Sequence, residues 1–320
     1  MLADVLSLLG GLLLLYVGAE ALVKGGVGLA LAVGASHTLI GLTVVAFGTS
    51  LPELSVSVTA SSQGRGAVVL GNVLGSNIAN LGVVLGLTAL LVPTQVDASL
   101  QRREVPALLL SALAVPALLR DGRLDRGEAG LLVLSALVLL GMMARAAMAR
   151  ALGPPGHATA ELAEGERPPA HRATTLLQLS MIFVGLLALV GGGHLFVQGA
   201  VGVARYAGMS DRLVGLTVVA VGTSLPEFSA SVVAAWRGHA GLAVGNVVGS
   251  NIFNVLLILG VTGLARPVVA APGQTELAAF LGLTVLAVWL LRRPRTLRRI
   301  EGAALVALFA VFLTLLATGR

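Results

Sequence analysis

Ten apolar runs follow one another along the chain, at roughly 3–33, 38–62, 66–91, 103–119, 128–149, 174–205, 212–236, 241–265, 274–291 and 299–317, each about as long as a membrane crossing requires. A run of this kind crosses hydrocarbon as a helix, because only then are its own backbone polar groups satisfied inside the segment. The pattern therefore predicts an all-α polytopic membrane protein with ten transmembrane helices. Composition agrees: of 320 residues 56% are hydrophobic and 11% charged, against about a quarter charged in a soluble domain. The 41 glycines suit helices that pack closely in lipid. The formal charge of +6 does not point to nucleic acid, because the arginines sit in short loops between the runs. With no cysteine, disulfides and thiolate metal sites are excluded. The first run, "MLADVLSLLGGLLLLYVGAE", lacks a basic leader and reads as a membrane span, not a removed signal peptide.

An even number of crossings puts both termini on one side. Thirteen of the 21 Lys and Arg fall in the loops after the odd-numbered runs, among them Lys24, Arg102, Arg103 and Arg237. The excess places those loops in the cytoplasm and the protein in the plasma (inner) membrane. The cytoplasmic loops include the one long polar stretch, "GPPGHATAELAEGERPPAH" at 153–171, which reads as a flexible linker.

Sliding the sequence by 174 positions lays Gly41–Asn80 over Gly215–Asn254 without a gap, with 25 of 40 residues identical. The chain thus divides into a repeat at 1–152, a linker at 153–173 and a second repeat at 174–320. Each repeat holds five runs. An odd number means the second copy enters from the opposite side, so the repeats have inverted topology, the layout of secondary transporters.

The two repeats share "GTSLPE", at 48–53 and 222–227. Glu53 falls near the middle of the second run, where an unpartnered carboxylate costs at least about 2.5 kcal/mol. Thr49 and Ala46 lie four and seven residues before it on one helical face, with Ser50 alongside. Pro52 has no N–H for the carbonyl of Gly48, so a break is expected there, with carbonyls freed around Ala46–Gly48. Carboxylate, hydroxyl and carbonyl oxygens are ligands for hard cations such as Ca2+ or Na+. Ala220, Thr223, Ser224, Pro226 and Glu227 repeat the set. The partner motifs are "GNVLGSNIAN" at 71–80 and "GNVVGSNIFN" at 245–254. Asn72, Ser76 and Asn80, and likewise Asn246, Ser250 and Asn254, form polar stripes that can supply amide oxygens to a cation or hydrogen-bond the carboxylates. Gly71, Gly75, Gly245 and Gly249 are expected to let another helix approach. Elsewhere Glu20 reads as an ion-pair partner of Lys24. His37, His157, His171 and His239 read as solvated groups in loops or near run ends, and His194, which aligns with Glu20, as a helix-packing or interface residue and not a ligand.

With two copies of "GTSLPE" each followed by "GNVxGSNIxN", the chain resembles the prokaryotic-type sodium/calcium exchangers of the cation/Ca2+ antiporter superfamily, over essentially its whole length. The resemblance implies an ion site formed by the carbonyls of Ala46 and Ala220 with Thr49, Ser50, Glu53, Ser76, Asn80, Thr223, Ser224, Glu227, Ser250 and Asn254. It implies an antiporter, not an enzyme, that moves Ca2+ one way and Na+ the other, three Na+ per Ca2+. No cofactor, nucleic acid or obligate protein partner is implied, only the transported ions and the lipid bilayer. Asn254 stands where potassium-dependent relatives carry Asp, which argues against potassium coupling. The short linker has no room for the calcium-sensing domains of animal exchangers. Two alternatives stay open on the residues: H+ taken up by Glu53 and Glu227 in place of Na+, and a cation channel. An intramembrane hydrolase is not supported, since "GTSLPE" lacks GxSxG spacing.

Overall fold

The structure, a computed structural model, describes residues 1–94, 96–151, 172–208, 222–293 and 296–318. Ala220, His157, His171 and all of the linker except Arg172 and Ala173 lie outside them. In the first repeat α1 (Leu2–Val33) is followed by α2 (His37–Ile40), a π-helical turn at Gly41–Val45, α3 (Ala46–Thr49) and α4 (Leu51–Ser62). Then come α5 (Gly66–Ala79), a second π-helical segment at Asn80–Leu85, α6 (Gly86–Leu91), α7 (Ala98–Leu118) and α8 (Arg126–Ala151). The second repeat supplies α9 (Arg172–Tyr206), α10 (Leu225–Trp236), α11 (Ala240–Phe253), a π-helical segment at Asn254–Leu259, α12 (Gly260–Ala265), α13 (Gln274–Leu291) and α14 (Arg299–Thr318).

Seven of the described helical stretches are long and apolar enough to cross a membrane, and the bent pair His37–Thr49 and Leu51–Ser62 makes an eighth. The remaining two positions belong to α7, whose first turns carry Arg102, Arg103 and Glu104, and to α10, the described end of the run that begins at 212. Leucines on α1 (Leu6, Leu9, Leu13), α8 (Leu131, Leu134, Leu137) and α9 (Leu176, Leu187) are exposed, as a lipid-facing surface requires.

Inversion is visible in how α1 meets α9. Gly11, Gly18 and Gly25 recur every seven residues, and their counterparts 174 positions on are Gly185, Gly192 and Gly199. A Cβ on Gly18 would stand 2.8 Å from the backbone nitrogen of Leu189, and one on Gly192 2.8 Å from that of Leu15. Gly11 faces Gly192–Phe196 while Gly25 faces Gln178–Ile182, so the helices run antiparallel with their backbones in contact. Two equivalent helices in opposite directions are the signature of an inverted repeat.

The ends of the helices confirm the alternation. At one pole the turns after α1, α6, α10 and α13 meet. There Thr94 bridges Leu297 through backbone bonds of 3.1 and 2.8 Å, and the ring of His37 lies edge-on to that of His239, 5.0 Å between centroids. At the opposite pole β1 (Arg123–Leu124) pairs antiparallel with β2 (Val268–Val269), and Arg266 Nη1 donates to the Ser62 carbonyl at 3.3 Å. Thr94 maps onto Val268 at the 174-residue offset and Leu297 onto Leu124 at 173, and Val268 pairs with Leu124, so one bridge is made twice, at opposite ends. These short strands were not expected from the apolar runs. His37 and His239 are half-buried against each other, which corrects the solvated reading: the turns they occupy are held together by packing between repeats.

If the α1–α9 contact is as close as the glycines indicate, Gly18→Val or Gly192→Val should lower unfolding stability by about 1–3 kcal/mol through overpacking. Gly10→Ala and Gly191→Ala, where nothing lies within 4 Å of the new carbon, should be neutral or slightly stabilising. Thermal unfolding of the purified variants in detergent checks this.

Candidate ion-binding site

The second run breaks where the proline requires. Pro52 occupies the first turn of α4, a position at which a missing N–H costs nothing, and α3 meets α4 at 44° across Ser50. Ser50 (φ −84°, ψ 4°) is neither fully helical nor extended, and its counterpart Ser224 (φ −90°, ψ 10°) is almost the same. The motif therefore gives the residue before each carboxylate-bearing helix the same conformation. Each break buries its hydroxyls and carboxylate: Thr49, Ser50, Glu53, Ser224 and Glu227 are all inside the protein, with Thr223 half-buried.

One expectation at this break is corrected. The Ala46 carbonyl is not released. It accepts the Ser50 N–H at 3.1 Å and the hydroxyls of Thr49 and Ser250 at 3.4 Å each. Pro52 removes the donor for residue 48, whereas residue 46 still has Ser50 four positions on. The equivalent carbonyl, that of Ala220, lies outside the described residues.

In the partner motifs, α5 and α11 each widen into π-helix at the last asparagine, Asn80 and Asn254. A single π turn inside a helix shifts the residues after it around the axis, a device common at functional sites. The packing is reciprocal between repeats: α4, with Glu53, lies on the segment headed by Asn254, and α10, with Glu227, lies on the segment headed by Asn80. Nothing in "NLGVVL" or "NVLLIL" announces a π turn, and sequence reasoning missed both.

The polar stripes divide into two jobs. Asn72 Nδ2 donates to the Glu53 carbonyl at 3.0 Å and to Ser57 Oγ at 2.8 Å. Asn246 Nδ2 repeats this with the Glu227 carbonyl at 3.3 Å and Ser231 Oγ at 3.0 Å, while its Oδ1 accepts from Thr49 Oγ1 at 3.3 Å. These amides brace the helices that carry the carboxylates. Ser57 and Ser231 were overlooked, although a serine four residues after each glutamate is duplicated in the repeats.

The other polar atoms are left without protein partners. Both oxygens of Glu53, Oε2 of Glu227, Oγ of Ser224 and both amide atoms of Asn80 and Asn254 are buried and make no hydrogen bond. Glu227 Oε1 accepts from Ser50 Oγ at 3.3 Å, which ties the two breaks together across the repeats. None of the ion pairs among the described residues involves either carboxylate. Leaving a buried polar atom unsatisfied costs about 1–3 kcal/mol, more when it is charged. A set of unpaired oxygens around two carboxylates fits a hard cation and suits neither zinc nor copper.

Packing beside this set is described for one repeat. Gly241, Gly245 and Gly249 of α11 touch the start of the second run: added Cβ atoms would stand 2.5 Å from Thr38 Oγ1, the Thr38 carbonyl and the Leu42 carbonyl. Beside Gly71 and Gly75 the matching stretch of the other repeat, 212–221, lies outside the described residues. The glycine expectation thus holds for α11, and no described residue tests it for α5. The α11 face is closed toward the His37–His239 pole.

The sodium/calcium exchanger protein family matches residues 4–144 and 177–318, one stretch on either side of the linker. The chain belongs to that family. This exchanger is 39% identical over 315 residues to a provisionally named antiporter, CaxA, of Alkalimonas amylolytica, with 97% of each chain covered. It is 32% identical to the sodium/calcium exchanger MaX1 of Methanosarcina acetivorans, again over 97% of each. Among solved structures it superposes on the sodium-calcium exchanger NCX_Mj soaked without Na+ and Ca2+ at a TM-score of 0.82. That pair shares 30% identity and covers 100% of this chain and 99% of the other.

Because the two braces differ in burial, they should differ in cost. Asn246 is fully buried, and Asn246→Ala leaves its partners dry, for a loss of about 1–3 kcal/mol of stability. Asn72 is half-buried, so water can replace its amide and Asn72→Ala should cost less. Paired thermal denaturation of the two variants measures the difference.

Proposed function

We propose that the protein is a secondary antiporter that exchanges Ca2+ for Na+ across its membrane by alternating access. The observation that carries this reading is the unpaired oxygen set between the repeats, centred on Glu53 and Glu227. Two carboxylates carry a charge that one Ca2+ neutralises, and two or more Na+ can replace it on the surrounding oxygens. In this reading the ligands are Thr49, Ser50, Glu53, Ser76 and Asn80 with the Ala46 carbonyl, and Thr223, Ser224, Glu227, Ser250 and Asn254 with the Ala220 carbonyl. The hydroxyls now held by Ala46 and Glu227 bond at 3.3–3.4 Å, long enough to be exchanged readily for a cation. Family membership and the likeness to NCX_Mj, at 30% identity over the whole chain, support the same pair of ions.

The two repeats, 1–152 and 174–320, act as the two halves of the cycle. The closed α11 face is what one end state of an inverted-repeat carrier requires, and exchanging the conformations of the two repeats gives the other. The excess of Lys and Arg places the His37–His239 pole and the linker at 153–173 in the cytoplasm of a plasma membrane. The described state is then closed toward the cytoplasm.

Purified protein in vesicles should take up radioactive calcium when a Na+ gradient is imposed, and not when a K+ or H+ gradient is. Uptake driven by a pH gradient without Na+ would replace this reading with proton-coupled exchange. Glu53→Gln and Glu227→Gln should each lower Na+-driven flux by about a hundredfold or more, since removing one buried charge leaves the bound cation short of about 3–5 kcal/mol. Normal flux in either variant removes that residue from the site. Because the chain has no cysteine, the orientation is testable with single substitutions. Arg65→Cys should react with an impermeant thiol reagent on intact cells, and Arg292→Cys only after lysis.

A further inference from the structure

The repeat offset pairs positions that carry different chemistry. Glu20 of α1 is met by Arg237, just past the end of α10: Arg237 Nε donates to Glu20 Oε1 at 2.6 Å, and its Nη2 pairs with the same oxygen. Lys24 Nζ lies 3.3 Å from Glu20 Oε2, and the Glu20 side chain is only 13% exposed. Glu20 and Arg237 line a small cavity with Tyr16, Val233 and Trp236. The contact joins the α1–α9 pair to the helix that carries Glu227, on the side of the molecule where α11 is packed shut.

Shifted by 174 positions, Glu20 becomes His194, Lys24 becomes Gln198, and Arg237 becomes Gln63. His194 Nε2 and Gln198 Nε2 are 2.9 Å apart, which reproduces the Glu20–Lys24 pairing along the helix. The third member does not join them. Gln63 is exposed, and no hydrogen bond among the described residues links it to His194. The same three-residue constellation is therefore assembled as an ion pair at the His37–His239 end, and at the β1–β2 end it is apart, with glutamines where Lys24 and Arg237 stand.

We propose that Glu20, Arg237 and Lys24 form an ionic latch that holds the His37–His239 end closed, and that the equivalent latch at the other end, His194 with Gln63, is the weaker one. The proposal rests on the alternating-access reading above. When the repeats exchange conformations, Arg237 leaves Glu20 and Gln63 reaches His194. The protein trades an ion pair for a polar contact, so it rests with the β1–β2 end open. An ion pair this accessible shifts an equilibrium only modestly, by roughly two- to fivefold. That is enough to set the resting state of a carrier whose two ends are otherwise copies.

Two single-cysteine reporters test this. Leu242 is fully buried against Gly26 and Gly41, while its repeat counterpart Val68 is 46% exposed. In ion-free purified protein, Leu242→Cys therefore reports the minor state and Val68→Cys the resting one. Adding E20Q or R237Q should speed labelling of Leu242→Cys by roughly two- to fivefold without speeding Val68→Cys. The double substitution E20Q/R237Q should do no more than either alone. Q63R with H194E, which builds a charged latch at the other end from two exposed positions, should speed Leu242→Cys in the same way. Unchanged labelling of Leu242→Cys in all of these, in protein that still exchanges Ca2+ for Na+, overturns the latch and leaves the transport reading intact. Faster labelling at both reporters means lost packing and overturns it equally. Absence of Na+-driven Ca2+ flux in the unsubstituted protein removes the reading beneath it.

Discussion

Two carboxylates buried together with no basic side chain set the terms for the rest of this molecule. Neither Glu53 nor Glu227 has an ion-pair partner among the described residues, and three of their four oxygens have no hydrogen-bond donor. Such a pair is tolerated in a membrane interior only if a cation, or a proton, completes it. The helix breaks at Ser50 and Ser224 follow from the same demand. A continuous helix presents hydroxyl and carboxylate along one face only, whereas a 44° bend lets Thr49 and Ser50 address the opposite repeat while Glu53 faces inward. The amides of Asn72 and Asn246 then hold the carboxylate-bearing helices in place through their backbone carbonyls, which leaves the carboxylates themselves unencumbered.

Duplication in opposite orientations converts this site into one that can be reached from two sides. The α1–α9 pair has its backbones in contact along three glycines on each helix, so it resists internal deformation and is suited to move as one body. The rest of the protein is stapled at each pole by an equivalent two-strand bridge, Thr94 with Leu297 and Arg123–Leu124 with Val268–Val269. Of the partner helices, α11 is seated on the second run through Gly241, Gly245 and Gly249, which closes one pole. That closure describes one end of a cycle. The ion pair at Glu20, where the other repeat carries His194 and Gln63, gives that end its energetic preference.

Much of this was legible in the residues because membrane folding is so restrictive. Runs such as 128–149 and 274–291 have no way to satisfy their backbones except as helices, and the structure has them at 126–151 and 274–291. The breaks were predictable from Pro52 and Pro226, and inversion from five runs per repeat. The misreadings have separate causes. The Ala46 carbonyl was expected to be free, but Pro52 removes the donor only for residue 48, and Ser50 and Ser250 reach residue 46. His37 and His239 were read as solvated because each sits in a short turn, yet the turns belong to neighbouring loops of different repeats. His194, read as a helix-packing or interface residue, is exposed and bonded one turn along its own helix to Gln198.

The sequence by itself determined the helical membrane class, the inversion of its repeats and the oxygen-rich chemistry duplicated in them. Each of these depends on local properties: segment length, the missing N–H of proline, and the fact that a buried carboxylate needs a cation. Only the tertiary structure decided which polar residues brace and which stay unpaired, where helices widen into π turns, that α11 is packed shut on the second run, and that Arg237 belongs to Glu20. Those depend on contacts between segments that lie about 200 residues apart in the chain. Gly41–Asn80 and Gly215–Asn254 share 25 of 40 residues, and where they differ, as at Gln63 and Arg237, the effect depends on what each position meets in the fold. The difference comes from packing, because a carrier built of two inverted copies has to hold them in unlike conformations for one end to be closed while the other is open.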